Sequence, residues 1–209
     1  LAKPGAGGGV LAIERSLRIV GPAAGIVIRR RGSDPAFRIF RIASGVRVTL
    51  ENLTIRGANP TGPWGAILNF GTLALINCKV VDNATGGINS QGGVTLTNVT
   101  VADNAGGGLY GKEPPLTVTN STVSRNLGTG IYGKGTLTVT NSAVNRNTGA
   151  GISTSGSLLM DRGTVAHNQE GGVYLSRATA TLDRVTIVDN SASGISMWNS
   201  ELTLRTSQV

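Results

Sequence analysis

The feature that most constrains the fold of this 209-residue chain is an internal repeat. An asparagine, followed four residues later by glycine and then by isoleucine, leucine or valine, occurs six times. Successive copies lie 21 or 22 residues apart, and their asparagines are Asn83, Asn104, Asn126, Asn147, Asn168 and Asn190. A repeat this short cannot bury an apolar core alone, so neighbouring repeats must stack on one another.

The repeats also carry β-strand patterns. Apolar residues alternate with threonine in segments such as 116–119 and 137–140, the period of a half-buried strand. Two further short strands complete each unit, and no segment has helical periodicity. The sequence therefore predicts an all-β right-handed parallel β-helix with three short strands per coil, about 22 residues per coil and roughly eight or nine coils. We expect the six asparagines to form a hydrogen-bonded ladder at one turn, and glycines to supply positive φ at sharp turns.

Composition agrees with a thin, packed solenoid. Hydrophobic residues make up 39% of the chain and charged residues 14%, which excludes a disordered polyampholyte, while only 4% are aromatic. No apolar run approaches the roughly 20 residues that cross a membrane as a helix. We predict one β-helix domain over residues 1–209, with irregular basic coils at 1–60 and regular repeats at 61–209.

Positive charge is concentrated at the N-terminal end. The net charge is +8, and residues 1–60 contain ten basic and three acidic side chains. An anionic partner, such as an acidic polysaccharide or the cell envelope, is therefore expected to meet this end. Nucleic acid is not expected, because the basic residues lack interleaved aromatic residues and a binding motif. The candidate anion-binding residues are Arg29, Arg30, Arg31, Arg38 and Arg41.

Two stretches resemble known proteins. Residues 48–57 (VTLENLTIRG) look like the first coil of secreted parallel β-helices, and Gly65-Ala66-Ile67 followed by Asn83 is similar to the repeats of polymorphic outer-membrane proteins. The chain thus resembles the bacterial right-handed parallel β-helix proteins of the pectate-lyase-like fold. This resemblance implies an extracellular or cell-surface location. It does not select a function, because members include polysaccharide lyases, adhesins, autotransporter passengers and structural repeats.

One column of equivalent positions suits an acidic sugar chain. Tyr110 with Lys112 recurs one coil later as Tyr132 with Lys134, and Tyr174 occupies the same column two coils further on. Aromatic rings pack on sugar faces, and ammonium groups pair with carboxylates. An ordinary exposed strand explains the same pattern, since tyrosine is common in strands.

A second column raises the possibility of catalysis. Asp161, Asp183 and Arg205 fall one per coil. The family resemblance implies that lyases of this fold bind calcium through neighbouring carboxylates and use an arginine or lysine as base. The alternative is a surface charge ladder with Asp183 paired to Arg205. We predict no cofactor and no metal, with calcium entering only under the lyase alternative.

A third column precedes the ladder asparagines and contains Asp82, Asp103, Arg125, Arg146, His167 and Asp189. Opposite charges on neighbouring coils there indicate solvated ion pairs. A fourth pattern is a Thr-x-Thr array on three coils, which resembles ice-binding β-helices but is equally explained by β-propensity. Its members are Thr95, Thr97, Thr117, Thr119, Thr138 and Thr140.

The leading functional prediction is a structural or adhesive module that binds acidic glycans. The sequence does not support the assignment of an active site. Residues 202–209 stop part-way through a coil and leave an exposed sheet edge, which has two explanations. Either the chain is a fragment of a longer protein, or its open end meets the first coil of another copy in head-to-tail association. The alternative functions are a calcium-assisted polysaccharide lyase and an ice-binding protein.

Overall fold

The computed structural model describes residues 9–32, 34–62 and 65–209, and within them the secondary structure consists of β-strands. Residues 1–8 of the predicted domain lie outside the described residues. The described part of the chain has no helix with the length and hydropathy to span a membrane. The first twelve strands are β1 Leu11–Ile13, β2 Leu17–Val20, β3 Ile26–Arg29, β4 Phe40–Ile42, β5 Arg47–Glu51, β6 Leu53–Arg56, β7 Ile67–Asn69, β8 Thr72–Ile76, β9 Lys79–Val81, β10 Ile88–Ser90, β11 Val94–Thr97 and β12 Thr100–Ala102. The remaining strands are β13 Leu109–Gly111, β14 Leu116–Thr119, β15 Thr122–Ser124, β16 Ile131–Gly133, β17 Leu137–Thr140, β18 Ala143–Asn145, β19 Ile152–Thr154, β20 Ser157–Ala166, β21 Val173–Ser176, β22 Thr179–Val188, β23 Ile195–Trp198 and β24 Glu201–Arg205.

Every strand pairs in parallel with the equivalent strand of the next coil. The first sheet has nine strands in the order β1-β4-β7-β10-β13-β16-β19-β21-β23. The other strands form two further faces, which the long strands β20 and β22 join by running around the corner between them. This stacking is that of a parallel β-helix, so the predicted fold class is confirmed.

The basic N-terminal coils follow the same sheets as the regular repeats. Leu11 of β1 lies opposite Phe40 of β4, and Phe40 lies opposite Ile67 of β7. Asn52, with a φ of 56°, turns the chain between β5 and β6.

The core consists of columns of aliphatic side chains, one from each coil. Members of one such column are fully buried, and burial of each contributes about 1.5–3 kcal/mol. This column contains Leu50, Leu75, Leu96, Val118, Val139, Met160 and Leu182.

The asparagine ladder is continuous, as the sequence predicts. Asn104 donates from Nδ2 to Oδ1 of Asn126 over 2.9 Å, and its backbone N–H donates to the same oxygen over 3.2 Å. Asn126 in turn donates from Nδ2 to Oδ1 of Asn147 over 3.0 Å and to the carbonyl oxygen of Val101 over 3.1 Å. The same side-chain bond joins each neighbouring pair from Asn83 to Asn190. The ladder thus satisfies polar groups that stacking removes from water.

The expected positive φ is found at five glycines of the described residues, Gly25, Gly45, Gly57, Gly62 and Gly171, but not at the glycines of the repeat motif, for which the expectation is wrong. Positive φ at the two regular corners belongs instead to Asn, Asp, Arg, His and Thr residues, for example Asn120 at 50° and Arg125 at 52°. The glycine that follows each ladder asparagine is required by space. A Cβ on Gly130 would lie 2.6 Å from the carbonyl oxygen of Gly151 and 2.7 Å from Cγ1 of Val144, so any side chain there would separate the coils.

We predict that Asn126→Ala lowers the free energy of unfolding by at least about 2 kcal/mol, because it leaves buried donors of Asn104 without an acceptor. Urea denaturation followed by circular dichroism measures this change. The matched control is Asn89→Ala, which removes an outward-facing side chain bonded to Gln91 and should change stability by less than about 0.5 kcal/mol. Equal losses in the two variants would contradict a structural ladder.

Candidate functional site

The outward face of the first sheet carries the column that contains the predicted tyrosines. Strand register places one residue of each coil in this column, because neighbouring strands pair without offset. From the N-terminal end its members are Ala12, Arg41, Leu68, Asn89, Tyr110, Tyr132, Ser153, Tyr174 and Ser196.

The two neighbouring tyrosines stack on each other. The ring centroids of Tyr110 and Tyr132 lie 5.0 Å apart with an interplanar angle of 6°. Parallel strands separated by about 4.8 Å impose this geometry on identical side chains in register. Both rings are half-buried, and Tyr174, two coils further on, is 42% exposed. The structure therefore brings the three predicted tyrosines onto one face.

A groove runs beside the tyrosine column and parallel to the helix axis. Its first part, about 320 Å³, has Gly65, Gly86, Gly107 and Thr129 along one side. A second part of about 180 Å³ continues from Thr129 to Glu170 beside Tyr174. The groove is open because one column of the coil carries small residues.

The predicted lysines lie beside this face. Lys112 and Lys134 each follow directly after the strand that carries the tyrosine of their coil. Both are exposed, and neither forms an ion pair with another described residue.

The candidate catalytic carboxylates form ion pairs with arginines. Asp161 forms ion pairs with Arg162 and Arg184, and Asp183 forms one with Arg184 at 2.9 Å. The expected partner of Asp183, Arg205, lies opposite it in the strand register but is not its ion-pair partner in the described structure. The predicted pairing of Asp183 with Arg205 is therefore wrong, because the guanidinium of the adjacent Arg184 pairs with the carboxylate of Asp183. Within the described ranges, no group of three His, Cys, Asp or Glu side chains is arranged to hold a metal ion.

The five candidate anion-binding arginines do not form one patch. Arg30 donates to the carbonyl oxygens of Gly57 over 3.0 Å and Asp34 over 2.7 Å, so its guanidinium holds a turn together. Arg29 ends β3 on another face, and the neighbouring Arg31 is exposed. Arg41 alone lies in the tyrosine column.

The fold and these sites allow a comparison with known proteins. Residues 38–160 match the model of a family described as the right-handed beta helix region. This chain belongs to that family. A search of curated proteins found no match.

Solved structures with the same fold include two proteins named for acidic polysaccharides. Pectate lyase Pel9A superposes with a TM-score of 0.51 at 12% identity, over 96% of this chain and 70% of the lyase. The A-module of mannuronan C-5 epimerase AlgE4 from Azotobacter vinelandii gives a TM-score of 0.51 at 14% identity, over 95% of this chain and 76% of the module. At these identities the likeness shows a shared fold.

Sequence reasoning missed two features of the tyrosine face of this β-helix. Asn89 precedes Tyr110 in the column, and counting 21 residues back from Tyr110 would have located it. Trp198 lies on the outward side of β23 next to the coil of Tyr174, with the guanidinium of Arg177 4.6 Å from its ring centroid. The distance between Tyr174 and Trp198 is not a repeat length, so the repeat alone does not reveal that they are neighbours.

The threonine array is regular over its three coils. Thr95, Thr117 and Thr138 lie in register on outward positions of the second sheet. Leu159 continues the column, so the flat polar surface ends there. Ice binding stays a prediction, and the threonine column is not longer in the structure than in the sequence.

Charged residues at the corner before the ladder form the expected solvated pairs. Arg125 donates from Nε and NH2 to the two carboxylate oxygens of Asp103, each over 2.7 Å. Arg56 and Asp82 lie 3.4 Å apart, and His167 lies 3.6 Å from Asp189. The hydrogen bonds from Arg125 lower the pKa of Asp103. Because the pKa is lowered by folding, the pair stabilises the protein at neutral pH and loses this effect as the pH falls through the pKa of the folded state.

We predict that Arg125→Gln raises the pKa of Asp103 toward its ordinary value, since it removes the bidentate donor. A carboxyl NMR titration measures the change. Arg146→Gln, one coil further along the same corner, is the control and should leave the pKa of Asp103 in place. An unchanged pKa in Arg125→Gln would show that the pair does not persist in solution.

Proposed function

We propose that this protein is an extracellular or cell-surface adhesive module of a bacterium, which binds an acidic polysaccharide along the groove of its first sheet. The observation that carries this proposal is the stacked pair Tyr110 and Tyr132 at the edge of a groove with a glycine side. Sugar rings present C–H faces that pack on aromatic rings, and a groove along the axis suits an extended polymer.

The charges near the groove favour an acidic ligand over a neutral one. Lys112 and Lys134 are exposed beside the two rings, where their ammonium groups are free to approach carboxylates of a bound chain. Because the coils repeat, a polymer along the axis meets similar chemistry at successive coils. Tyr174 adds a third ring two coils away.

Adhesion is favoured over catalysis because the acidic candidates are neutralised. A calcium-assisted elimination needs carboxylates that can bind the cation and a free base. Asp161 and Asp183 are both paired with arginines on the second sheet. They also lie on a different face from the tyrosine groove. The names of the two structural neighbours, a pectate lyase and a mannuronan epimerase, are compatible with a uronate ligand.

We predict that Tyr110→Ala and Tyr132→Ala each weaken binding to polygalacturonate or alginate about five- to tenfold, because one sugar loses its stacking surface. Tyr110→Phe should keep most of the affinity. Thr138→Ala, on the second sheet, is the control and should bind like the wild type. Isothermal titration calorimetry measures the affinities.

Two results would count against this function. The first is a wild-type protein that binds none of the acidic polymers. The second is release of unsaturated uronides, detected by ultraviolet absorbance in the presence of calcium and abolished by Asp183→Ala, which would favour a lyase.

We further propose that copies of the chain associate end to end. The last coil exposes Met197 and Leu204 to 44% and 46%, although their strand positions face the core in earlier coils. Among the described strands, β24 pairs with β22 alone. Either a second copy or further coils of a longer chain would cover this apolar edge, and we propose the second copy.

Multi-angle light scattering is expected to give a mass above the 21.4 kDa of one chain, rising with concentration. Leu204→Lys should lower that mass, because it places a charge in the covered surface. The control Leu127→Lys changes a side chain that is 63% exposed on a corner and should leave the mass as in the wild type. A monomer at every concentration would overturn the proposal.

A further inference from the structure

Two arginines, Arg38 and Arg41, lie in the coil that precedes Gly65, the most N-terminal residue that lines the groove. Backbone hydrogen bonds run from Ile39 N–H to the Ala66 carbonyl and from Ala66 N–H to the Gly86 carbonyl. This places Arg38, just before Ile39, in the column that continues as Gly65, Gly86 and Gly107 along the groove. Arg41 lies opposite Leu68 in the tyrosine column. The coil that contains β4 therefore places an arginine in each of the two columns that border the groove, after Ala12 in the tyrosine column.

The guanidinium of Arg38 has no partner within the described residues. Its NH1 atom is buried and forms no hydrogen bond there. Burial, and then the nearby positive charge of Arg41, lower the pKa of Arg38. The guanidinium carbon of Arg41 lies 5.6 Å from the ring centroid of Phe70, and neither arginine forms an ion pair with a described side chain.

This arrangement is unfavourable without an anion. A buried donor without an acceptor loses its bonds to water and gains nothing in exchange. Two guanidinium groups that repel each other add to that cost. A carboxylate bound near both guanidinium groups would offset this repulsion, and planar guanidinium suits its two oxygens. Arg30, by contrast, satisfies its donors with backbone carbonyls and needs no ligand.

We propose that Arg38 and Arg41 form a carboxylate-binding site for one uronate residue of the polysaccharide in the groove. The inference rests on the proposed function, to which it adds a ligand class and a direction. Arg41 is three coils from Tyr110, about 14 Å at about 4.8 Å per coil. Glu170 lines the opposite end of the groove. A bound acidic chain is therefore held by charge at the N-terminal end and by ring stacking further along.

The test compares Arg38→Met and Arg41→Met with Arg47→Met. All three remove one positive charge and keep an unbranched apolar stem, but Arg47 is exposed at the start of β5 on the second sheet. Affinity for polygalacturonate should fall about tenfold in each groove variant and less than about twofold in the control. Affinity for the fully methyl-esterified polymer, which has no carboxylate, should be the same in all four proteins.

A second measurement separates binding from folding. Because Arg38 NH1 has no described partner, Arg38→Met should melt at the wild-type temperature or above it. In arginine-selective NMR spectra, titration with galacturonate should shift the Nε–H signals of Arg38 and Arg41, whereas galactose should not. An Arg38→Met protein that melts lower would indicate a structural role for the charge and count against the site.

The outcomes for the two proposals differ. If the tyrosine variants lose affinity while Arg38→Met and Arg41→Met behave like Arg47→Met, the carboxylate site is wrong and the groove remains. If the wild type binds neither polymer, both proposals fail. Equal weakening of the esterified polymer by the groove variants would show that the arginines do not recognise the carboxylate.

Discussion

The structure depends on the hydrogen bonds that stack one coil on the next with constant register. The buried asparagines enforce that register, because each side chain bonds both the side chain and the backbone of its neighbours. A coil that gained one residue within a strand would move its inward side chains to the outer face. Because the register is fixed, equivalent residues of successive coils form columns along the helix axis. A ligand on the surface of this chain would contact the side chains of such columns.

Close stacking also produces the groove. A Cβ on Gly86 would lie 3.0 Å from the carbonyl oxygen of Gly107, so a side chain there would require a small shift of the neighbouring coil, although the same column carries Thr129 further along. The missing side chains leave space beside Tyr110 and Tyr132, whose rings stack because register brings them together. Register thus positions the aromatic edge, and the glycines of the neighbouring column leave the groove open beside it.

Sequence periodicity predicted the features that repeat. The asparagine ladder, the alternating strands and the tyrosine column follow from spacing, and the structure places them as expected. Sequence periodicity did not predict contacts that a side chain makes within its own coil. Asp183 pairs with the adjacent Arg184 rather than with Arg205 across the coil, because side-chain reach decides that contact. Positive φ fell to Asn120 and Arg125 rather than to the repeat glycines, since αL geometry is accessible to residues with exposed polar side chains.

The basic side chains near the N-terminal end, which look like one cluster in the sequence, have different partners in the structure. Arg30 bonds backbone carbonyls, and Arg18 pairs with Glu51, so neither is available as a free cation. Arg38 and Arg41 remain without acid partners among the described residues, in the coil before the groove that borders the tyrosines. Net charge therefore indicates which end of the solenoid attracts an anion, while burial and partners determine which guanidinium groups can hold it. An acidic chain drawn to this end would meet an unpaired guanidinium before it reached the tyrosines, which gives the groove a direction that the near-neutral repeats cannot provide.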